Sequence, residues 1–523
     1  MSRSKTITAA PAKFSGPWIL TATIVGSSMV FIDGTVVNVA LPALQASLNA
    51  TVVDVQWVVE AYALFLAALL LAGGSLGDHF GRKRIYVIGV SLFALASVWC
   101  GLAPNINQLI IARAVQGIGG ALLVPGSLAI ISSSFHGEAR GKAIGTWSGF
   151  TAITAAIGPV LGGWLIEQVS WRAAFFINVP LALIVLALVF FHVPESRDQD
   201  SKGLDWPGAV LATLALGAIV YGLIESSRRG FSDPVIILSL AGGVSCAVGF
   251  VLLEMHLGKN GNPMLPLKLF KSSDFTGANL ITFFLYSALS GALFFLPLNL
   301  IQVQHYTATA AGAALLPFIL IMFLLSRWSG GLIKHYGAKL PLMVGPIVVA
   351  AGYFLFTLIS SESGNYWTTF FPAVVVMGLG MAISVAPLTT TVMNAVSENR
   401  AGIASGINNA VSRVAGLLAV AVLGIVMLHT FNAHLDERVA TLGLRPEIKQ
   451  ALDEQRPRLA AAEVPPGVEP SQQQTLRSLI NESFVAGFRR VTLVSSGLAF
   501  LSAMSAAVLI GKNKRAVGRN RGQ

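Results

Sequence analysis

The chain has 523 residues, of which 54% are hydrophobic and only 11% are charged. A soluble protein of this length has too little interior to bury so much apolar surface, so the composition excludes an ordinary globular protein and indicates a polytopic membrane protein. The formal net charge of +11 does not indicate a nucleic-acid partner, because Lys and Arg accumulate on the cytoplasmic loops of membrane proteins.

The apolar runs predict fourteen spanning helices. A helix needs about 20 apolar residues to cross the hydrocarbon core of a bilayer. Runs of that length lie near residues 17–40, 52–77, 85–103, 107–131, 141–167, 173–193, 207–226, 234–256, 275–302, 308–332, 340–360, 367–392, 403–428 and 484–511. The first run is long enough to span, so we interpret it as an uncleaved helix and not as a signal peptide.

The distribution of basic residues predicts the orientation of these helices. If the N-terminus is cytoplasmic, the inner loops carry most of the Lys and Arg, whereas the short outer loops carry only Arg172, Arg228 and Arg229. An even number of spans then places the C-terminus on the same side. We expect a multi-pass protein of the cytoplasmic (inner) membrane with both termini in the cytoplasm.

A short glycine-rich basic segment follows the second span and is repeated after the tenth. The copies, 74–84 and 330–339, align without gaps. The matched residues are Gly74 and Gly330, Leu76 and Leu332, His79 and His335, Phe80 and Tyr336, Gly81 and Gly337, and Lys83 and Lys339. Such a repeat indicates two related halves. Since the copies lie eight spans apart and not six, we infer that an extra helix pair separates two six-helix bundles.

This spacing predicts an all-α fold of two pseudo-symmetric bundles with an inserted pair. The expected units are an N-terminal bundle (1–193), the inserted helices with their linkers (194–274), a C-terminal bundle (275–511) and a basic tail (512–523). The C-terminal bundle includes a polar extracytoplasmic loop, 429–483, for which a helical hairpin is plausible. The loop could form a substrate vestibule or a docking surface, or be a solvated tether.

Four ionisable residues lie inside apolar runs, namely Asp33, Glu60, Arg113 and Arg413. Each costs about 3 kcal/mol at a helix centre on insertion scales, so each should face the bundle interior, a partner or water. Asp33 and Glu60 are candidates for reversible protonation, because burial and neighbouring charges set the pH at which a cavity carboxyl titrates.

Each of these residues also has a simpler interpretation. Asp33 could form a static pair with Arg113, and Glu60 lies close enough to the membrane surface to be merely hydrated. Arg113 is either a proton-relay partner or a donor to backbone carbonyls. Arg413 follows Asn408 and Asn409; for Arg413 we favour an interhelical hydrogen-bond network.

Candidates for substrate contact are two aromatic residues and one amide besides the two acids. Trp147 and Phe294 could line a cavity, although core or lipid-facing positions are the usual alternative for aromatic residues. Asn408 could face the same cavity. Asp33 and Glu60 complete the expected substrate site, and Asn409 with Arg413 is assigned to the structural polar network.

The fifth span carries a dense glycine pattern, Gly158-Pro159-Val-Leu-Gly162-Gly163. Small residues let helices approach closely, and proline removes a backbone hydrogen bond. The pattern therefore favours a tightly packed, bendable seam that controls opening. Ordinary membrane packing is the alternative.

Together these motifs resemble the major facilitator superfamily, specifically its fourteen-helix drug:proton antiporters, over nearly the whole chain. Residues 33–42 resemble the helix 1 signature, which implies that Asp33 is the coupling acid. Residues 74–84 resemble the superfamily loop motif, whose acid and arginine would latch the halves in the outward-facing-closed state. Residues 113–119 resemble the helix 4 motif implicated in proton transfer, and 158–163 resemble the antiporter motif.

Two further stretches, 171–180 and 402–408, also fit the resemblance. The gating residues that it implies are Gly74, Asp78, Gly81, Arg82, Gly158, Pro159, Gly162 and Gly163. The chain departs from the pattern at Lys334, which replaces the loop acid in the second copy and implies a degenerate latch there. Glu60 occupies a position that is neutral in many relatives and acidic in some cation exporters, which hints at cationic substrates.

These expectations combine into proton-driven export of amphipathic, cationic small molecules by alternating access. The expected partners are such substrates, protons and the lipid bilayer, with no cofactor beyond the proton gradient, no metal and no nucleic acid. A periplasmic adaptor protein could dock, but no docking motif is legible. The alternatives are a dedicated exporter of one metabolite or antibiotic, and a membrane enzyme or lipid-modifying protein. The enzyme is disfavoured because the sequence has no HExxH motif, nucleophile elbow or phosphate-binding loop.

Overall fold

The computed structural model describes residues 16–197, 205–261, 263–361, 364–396, 401–442 and 444–511, and the secondary structure assigned there is helical. The predicted basic tail, 512–523, lies outside these residues. The helices of the N-terminal half are α1 (Gly16–Ser47), α2 (Val52–Phe80), α3 (Arg82–Leu102), α4 (Ile106–Ser134), α5 (Gly137–Gln168), α6 (Ala173–Phe176) and α7 (Asn178–His192). The short helix α6 and α7 together make the sixth span.

Two antiparallel helices separate the two halves in the sequence. They are α8 (Trp206–Arg229) and α9 (Pro234–Asn260), which pack against each other. Aspartates at their N-termini accept backbone hydrogen bonds, from Gly208 N for Asp205 and from Val235 N for Asp233. Such caps satisfy backbone donors that a helix N-terminus leaves free.

The C-terminal half repeats the layout of the first. Its helices are α10 (Ser273–Leu298), α11 (Ala308–Ala313), α12 (Leu316–Tyr336), α13 (Lys339–Phe356), α14 (Tyr366–Thr369), α15 (Phe371–Asn394), α16 (Ala401–Val439), α17 (Pro446–Gln455) and α18 (Pro470–Leu509). A π-helical turn, Asn299–Val303, extends α10. In the described residues, 13 helical segments are long and apolar enough to span a membrane. Helix α5, of 32 residues, completes the fourteen that were predicted.

The loop expected at 429–483 is largely helical. Helix α16 continues to Val439, α18 begins at Pro470, and the polar segment around 444–456 forms α17. Leu435 of α16 and Ile480 of α18 are buried in one hydrophobic cluster, so the two helices stay packed beyond the predicted spans. Apolar windows locate only the part of a helix in lipid, which is why the predicted ends were too short.

The two halves touch at one end of the molecule. Helix α5 packs on α11, and α2 packs on α16. Gln302 Nε2 of the C-terminal half donates to Gln45 Oε1 at 2.9 Å, and Thr309 N donates to Glu167 Oε1 at 2.7 Å. These contacts lie at the end that the charge distribution predicts to be extracytoplasmic.

The surroundings of α5 change along its length. A Cβ built on Gly163 of α5 would lie 2.4 Å from the Ala308 carbonyl oxygen, so α5 and the C-terminal half are in close contact there. Nearer the other end of α5, a Cβ on Gly145 or Gly149 meets no heavy atom of the described residues within 4 Å. The molecule is therefore closed at the predicted outer end, where α5 meets the C-terminal half.

Candidate functional site

The acid of the first helix lies in a buried polar cluster inside the N-terminal half. Asp33 has no exposed surface. Arg113 Nη1 of α4 donates to its Oδ2 at 2.5 Å. Its Oδ1 accepts from Gln116 Nε2 at 2.8 Å and from Asn178 Nδ2 of α7 at 3.2 Å. Two helices, α4 and α7, thus hold the carboxyl of α1 in place.

The arginine of this pair makes several further contacts. Arg113 Nε donates to the Val58 carbonyl oxygen at 3.0 Å, and Nη1 also donates to Gln116 Oε1 at 2.7 Å. The guanidinium stacks on the Tyr62 ring, 4.1 Å from its centroid, which is a favourable cation–π arrangement. Buried charges are tolerated only when paired and hydrogen-bonded, and in this cluster the charges of Asp33 and Arg113 are paired with each other.

A cavity of about 440 Å³ lies between the two halves. Its walls come from α1 and α2 on one side and from α10 and α16 on the other, and Arg113 also lines it. The lining is mostly apolar with a few polar groups, as is usual for small-molecule sites of this size. We call this space the central cavity.

The two predicted acids lie in different places relative to the central cavity. Glu60 of α2 lines it, is 1% exposed, and its Oε2 has no hydrogen-bond partner among the described residues. Asp33 does not line it and lies behind Arg113. Arg113 therefore connects the buried acid with the cavity.

Of the two aromatic residues predicted to contact substrate, one lines the central cavity and the other does not. Phe294 lines the central cavity. Trp147 does not; its Nε1 donates to Ser27 Oγ at 3.0 Å, inside the N-terminal half. A role of Trp147 in substrate binding remains a prediction.

The polar residues of α16 are arranged differently from what we expected. Asn408, predicted to face the cavity, donates from Nδ2 to Asn279 Oδ1 at 3.2 Å and to Thr282 Oγ1 at 2.6 Å, so it forms the interhelical network with α10. Asn409 and Arg413, predicted to form that network, line the central cavity. Neighbouring residues of a helix point about 100° apart, and the sequence did not reveal the rotation of α16.

The glycines of α5 let this helix pack closely against α1 of its own half and against α11 of the C-terminal half. We call this contact the seam. A Cβ on Gly158 would lie 2.0 Å from Thr35 Oγ1, and one on Gly162 would lie 2.7 Å from Val36 Cγ1, both on α1. On the other side of α5, the Pro159 carbonyl oxygen would lie 2.1 Å from a Cβ on Gly312 of α11. The seam therefore joins the helix that carries Asp33 to the opposite half.

Comparisons with known proteins agree with this geometry. The model of the Major Facilitator Superfamily matches residues 23–420. The chain belongs to this superfamily. It is 34% identical to the multidrug resistance protein Stp of Mycobacterium tuberculosis, over 91% of this chain and 89% of that protein. It is 32% identical to the tetracenomycin C resistance and export protein of Streptomyces glaucescens, over 93% and 90%.

A solved superfamily structure has the same fold. A bacterial homologue of the human lysosomal transporter Spinster, solved in an inward-facing and unoccupied conformation, superposes with a TM-score of 0.66. The sequences are 18% identical, and the match covers 95% of this chain and 98% of that one. The predicted family and fold are confirmed. The chain is a multi-pass membrane transporter of small molecules and not an enzyme.

The superfamily loop motif adopts a specific turn between α2 and α3. Gly81 has φ +111, a value that favours glycine, and its counterpart Gly337 in the second copy has φ +73. Asp78 and Arg82 pair within the first copy at 2.7 Å. The matching backbone turns support the duplication read from the sequence, while the role of Asp78 and Arg82 as a latch remains a prediction.

One residue that contacts this turn was not predicted from the sequence. Glu195, just after α7, accepts from Lys83 N at 3.0 Å and from Arg84 N at 3.1 Å. Its carboxylate thereby caps the N-terminus of α3, where negative charge is stabilising. Nothing in the linker sequence around 194–206 distinguishes this acid from an ordinary solvated one, so only the three-dimensional contact identifies it.

Proposed function

We propose that the protein is a proton-coupled exporter of amphipathic small molecules, cations among them, that works by alternating access. The observation that carries the proposal is the central cavity, closed at one end, with Glu60 on its wall and the Asp33–Arg113 pair behind it. Two relatives named for drug resistance and export support the direction of transport.

The contacts suggest how a proton and a substrate could compete. An unpartnered carboxylate is costly to bury, and either a proton or a bound cation at Glu60 removes that cost. A proton on Asp33 would remove the charge that Arg113 pairs with. Because Arg113 also lines the central cavity, that change would alter the cavity wall, and each ligand would favour a different state of the two halves.

Transport by the full chain in proteoliposomes tests this proposal. Ethidium and other cations are followed with an imposed pH gradient and after the gradient is collapsed with an ionophore. We expect gradient-dependent transport that Asp33→Asn abolishes and that Glu60→Gln reduces more for cations than for neutral compounds. Glu437→Gln, at an exposed acid of α16, is the matched control. Transport that is unaffected by collapse of the gradient would contradict proton coupling.

Dedicated export of one compound is the second candidate, because one relative is named as an export protein for tetracenomycin C. The same assay separates the two. A multidrug exporter moves several unrelated cations, whereas a dedicated exporter moves none of the panel.

A further inference from the structure

The central cavity holds two opposite charges that are not paired with each other. Glu60 lies on the wall from the N-terminal half and Arg413 on the wall from the C-terminal half. The carboxyl Oε2 and the guanidinium Nε are both enclosed without a hydrogen-bond partner among the described residues. Tyr62, on the same wall as Glu60, has an unpartnered hydroxyl as well.

Arg413, which is partly buried, differs from the fully buried Arg113. Arg113 is held by Asp33, Gln116 and the Val58 carbonyl oxygen. Arg413 forms no hydrogen bond or ion pair with any residue that the structure describes. A cation in a membrane helix normally has a protein partner or faces water, and this one lines the central cavity.

The neighbours of Arg413 are small and do not neutralise it. Ser412 and Asn409 lie on the same face of α16, and Ser290 lies opposite on α10, all lining the cavity. Ser412 Oγ already donates to the Asn409 carbonyl oxygen. No acid comes from α10 or α16 to this part of the lining. Arg413 is therefore the one charged group on this wall among the described residues, and a ligand that satisfies its donors must supply an acceptor oxygen.

We propose that Arg413 determines substrate specificity by binding a carboxylate or strongly polarised carbonyl oxygen of the substrate, while Glu60 binds the cationic or donor end. Dipolar amphipathic molecules should then bind more tightly than simple lipophilic cations, which engage Glu60 alone. The inference rests on the proposed function only in that the central cavity is taken as the substrate site.

A matched pair of dyes tests the proposal. Tetramethylrhodamine and its methyl ester share one cationic ring system, but only the acid carries a carboxylate. Binding to purified full-length protein is measured at equilibrium by fluorescence anisotropy, without any gradient. Arg413→Gln should weaken binding of the acid by about tenfold or more, the loss expected for one hydrogen bond to a charged group. Its affinity for the ester should stay within about threefold, or improve.

Two further variants sharpen the result. Arg413→Lys keeps the charge and should restore part of the affinity for the acid. Glu60→Gln should weaken both dyes, because both carry the cation. Thermal unfolding and gel filtration check that each variant is folded, and the ester provides an internal control within Arg413→Gln itself.

Two outcomes overturn the proposal. One is equal affinity of the wild type and Arg413→Gln for the acid, including no detectable binding by either. The other is an equal loss of both dyes in a folded Arg413→Gln variant, which would assign the arginine a structural role. Failure of the proposed function gives a different result, namely dye discrimination at equilibrium but no gradient-dependent transport.

Discussion

The Asp33 cluster and the central cavity place similar charges in opposite situations. In the cluster, the Asp33 carboxyl and the Arg113 guanidinium are hydrogen-bonded to each other and to neighbouring groups of the N-terminal half. Glu60 and Arg413 line the cavity, and each has a buried polar atom without a hydrogen-bond partner among the described residues. A pair whose hydrogen bonds and charges are satisfied stabilises one arrangement of helices, whereas groups without such partners are available to bind a ligand. The difference separates residues that would control coupling from residues that would bind the cargo.

Removing one member of the satisfied pair should have the largest effect on stability. Arg113→Gln leaves the Asp33 carboxyl buried without its cation, which should lower the free energy of unfolding by about 3–5 kcal/mol. Arg413→Gln removes a cation that has no protein partner and should change that free energy by less than about 1 kcal/mol. Thermal unfolding of the purified variants measures both.

The double variant Asp33→Asn/Arg113→Gln sharpens the same comparison. It should recover part of the stability lost in Arg113→Gln, because the two residues form one coupled unit. Equal destabilisation by Arg113→Gln and Arg413→Gln would show that the two arginines are not in different situations.

The seam that holds α1 should be the next most sensitive region. A Cβ on Gly162 would lie 2.7 Å from Val36 Cγ1, whereas one on Gly149 meets nothing within 4 Å. Both variants to alanine gain the same helix propensity, about 1 kcal/mol. Gly162→Ala should therefore be less stable than Gly149→Ala by about 1–3 kcal/mol, the usual cost of overpacking. Equal unfolding temperatures would argue against a tight seam.

A smaller effect is expected at the N-terminus of α3. Glu195→Gln removes the charge that caps α3 and should lower the free energy of unfolding by about 1 kcal/mol. Glu437→Gln, at an exposed position beyond the predicted span, controls for the loss of a surface charge. The capping role would be contradicted if the two variants unfolded at the same temperature.

The sequence was sufficient to predict the spans, the two halves and the loop turns. Long apolar runs follow directly from the thickness of a bilayer, and the repeated glycines Gly81 and Gly337 mark a backbone conformation that other residues rarely adopt. The pairing of Asp33 with Arg113 had been considered as an alternative, and the structure contains it. What that pair does during transport remains a prediction.

The direction in which each side chain points from its helix could not be predicted from the sequence in the same way. In a soluble helix the polar face marks the side toward water, but in a membrane both lipid-facing and core-facing sides are apolar. For this reason the placement of Asn408 and Arg413 relative to the cavity differs from the one we predicted. Glu195 was missed because its partners lie far away in the sequence, on α3.

Proton movement driven by substrate tests the central claim most directly. Proteoliposomes with trapped pyranine are given an ethidium gradient, and the internal pH is recorded as the dye moves. The account predicts that the wild type moves protons opposite to ethidium and that Asp33→Asn, checked for folding, moves none. Ethidium transport by the wild type without proton movement, or proton movement by Asp33→Asn equal to that of the wild type, would contradict it.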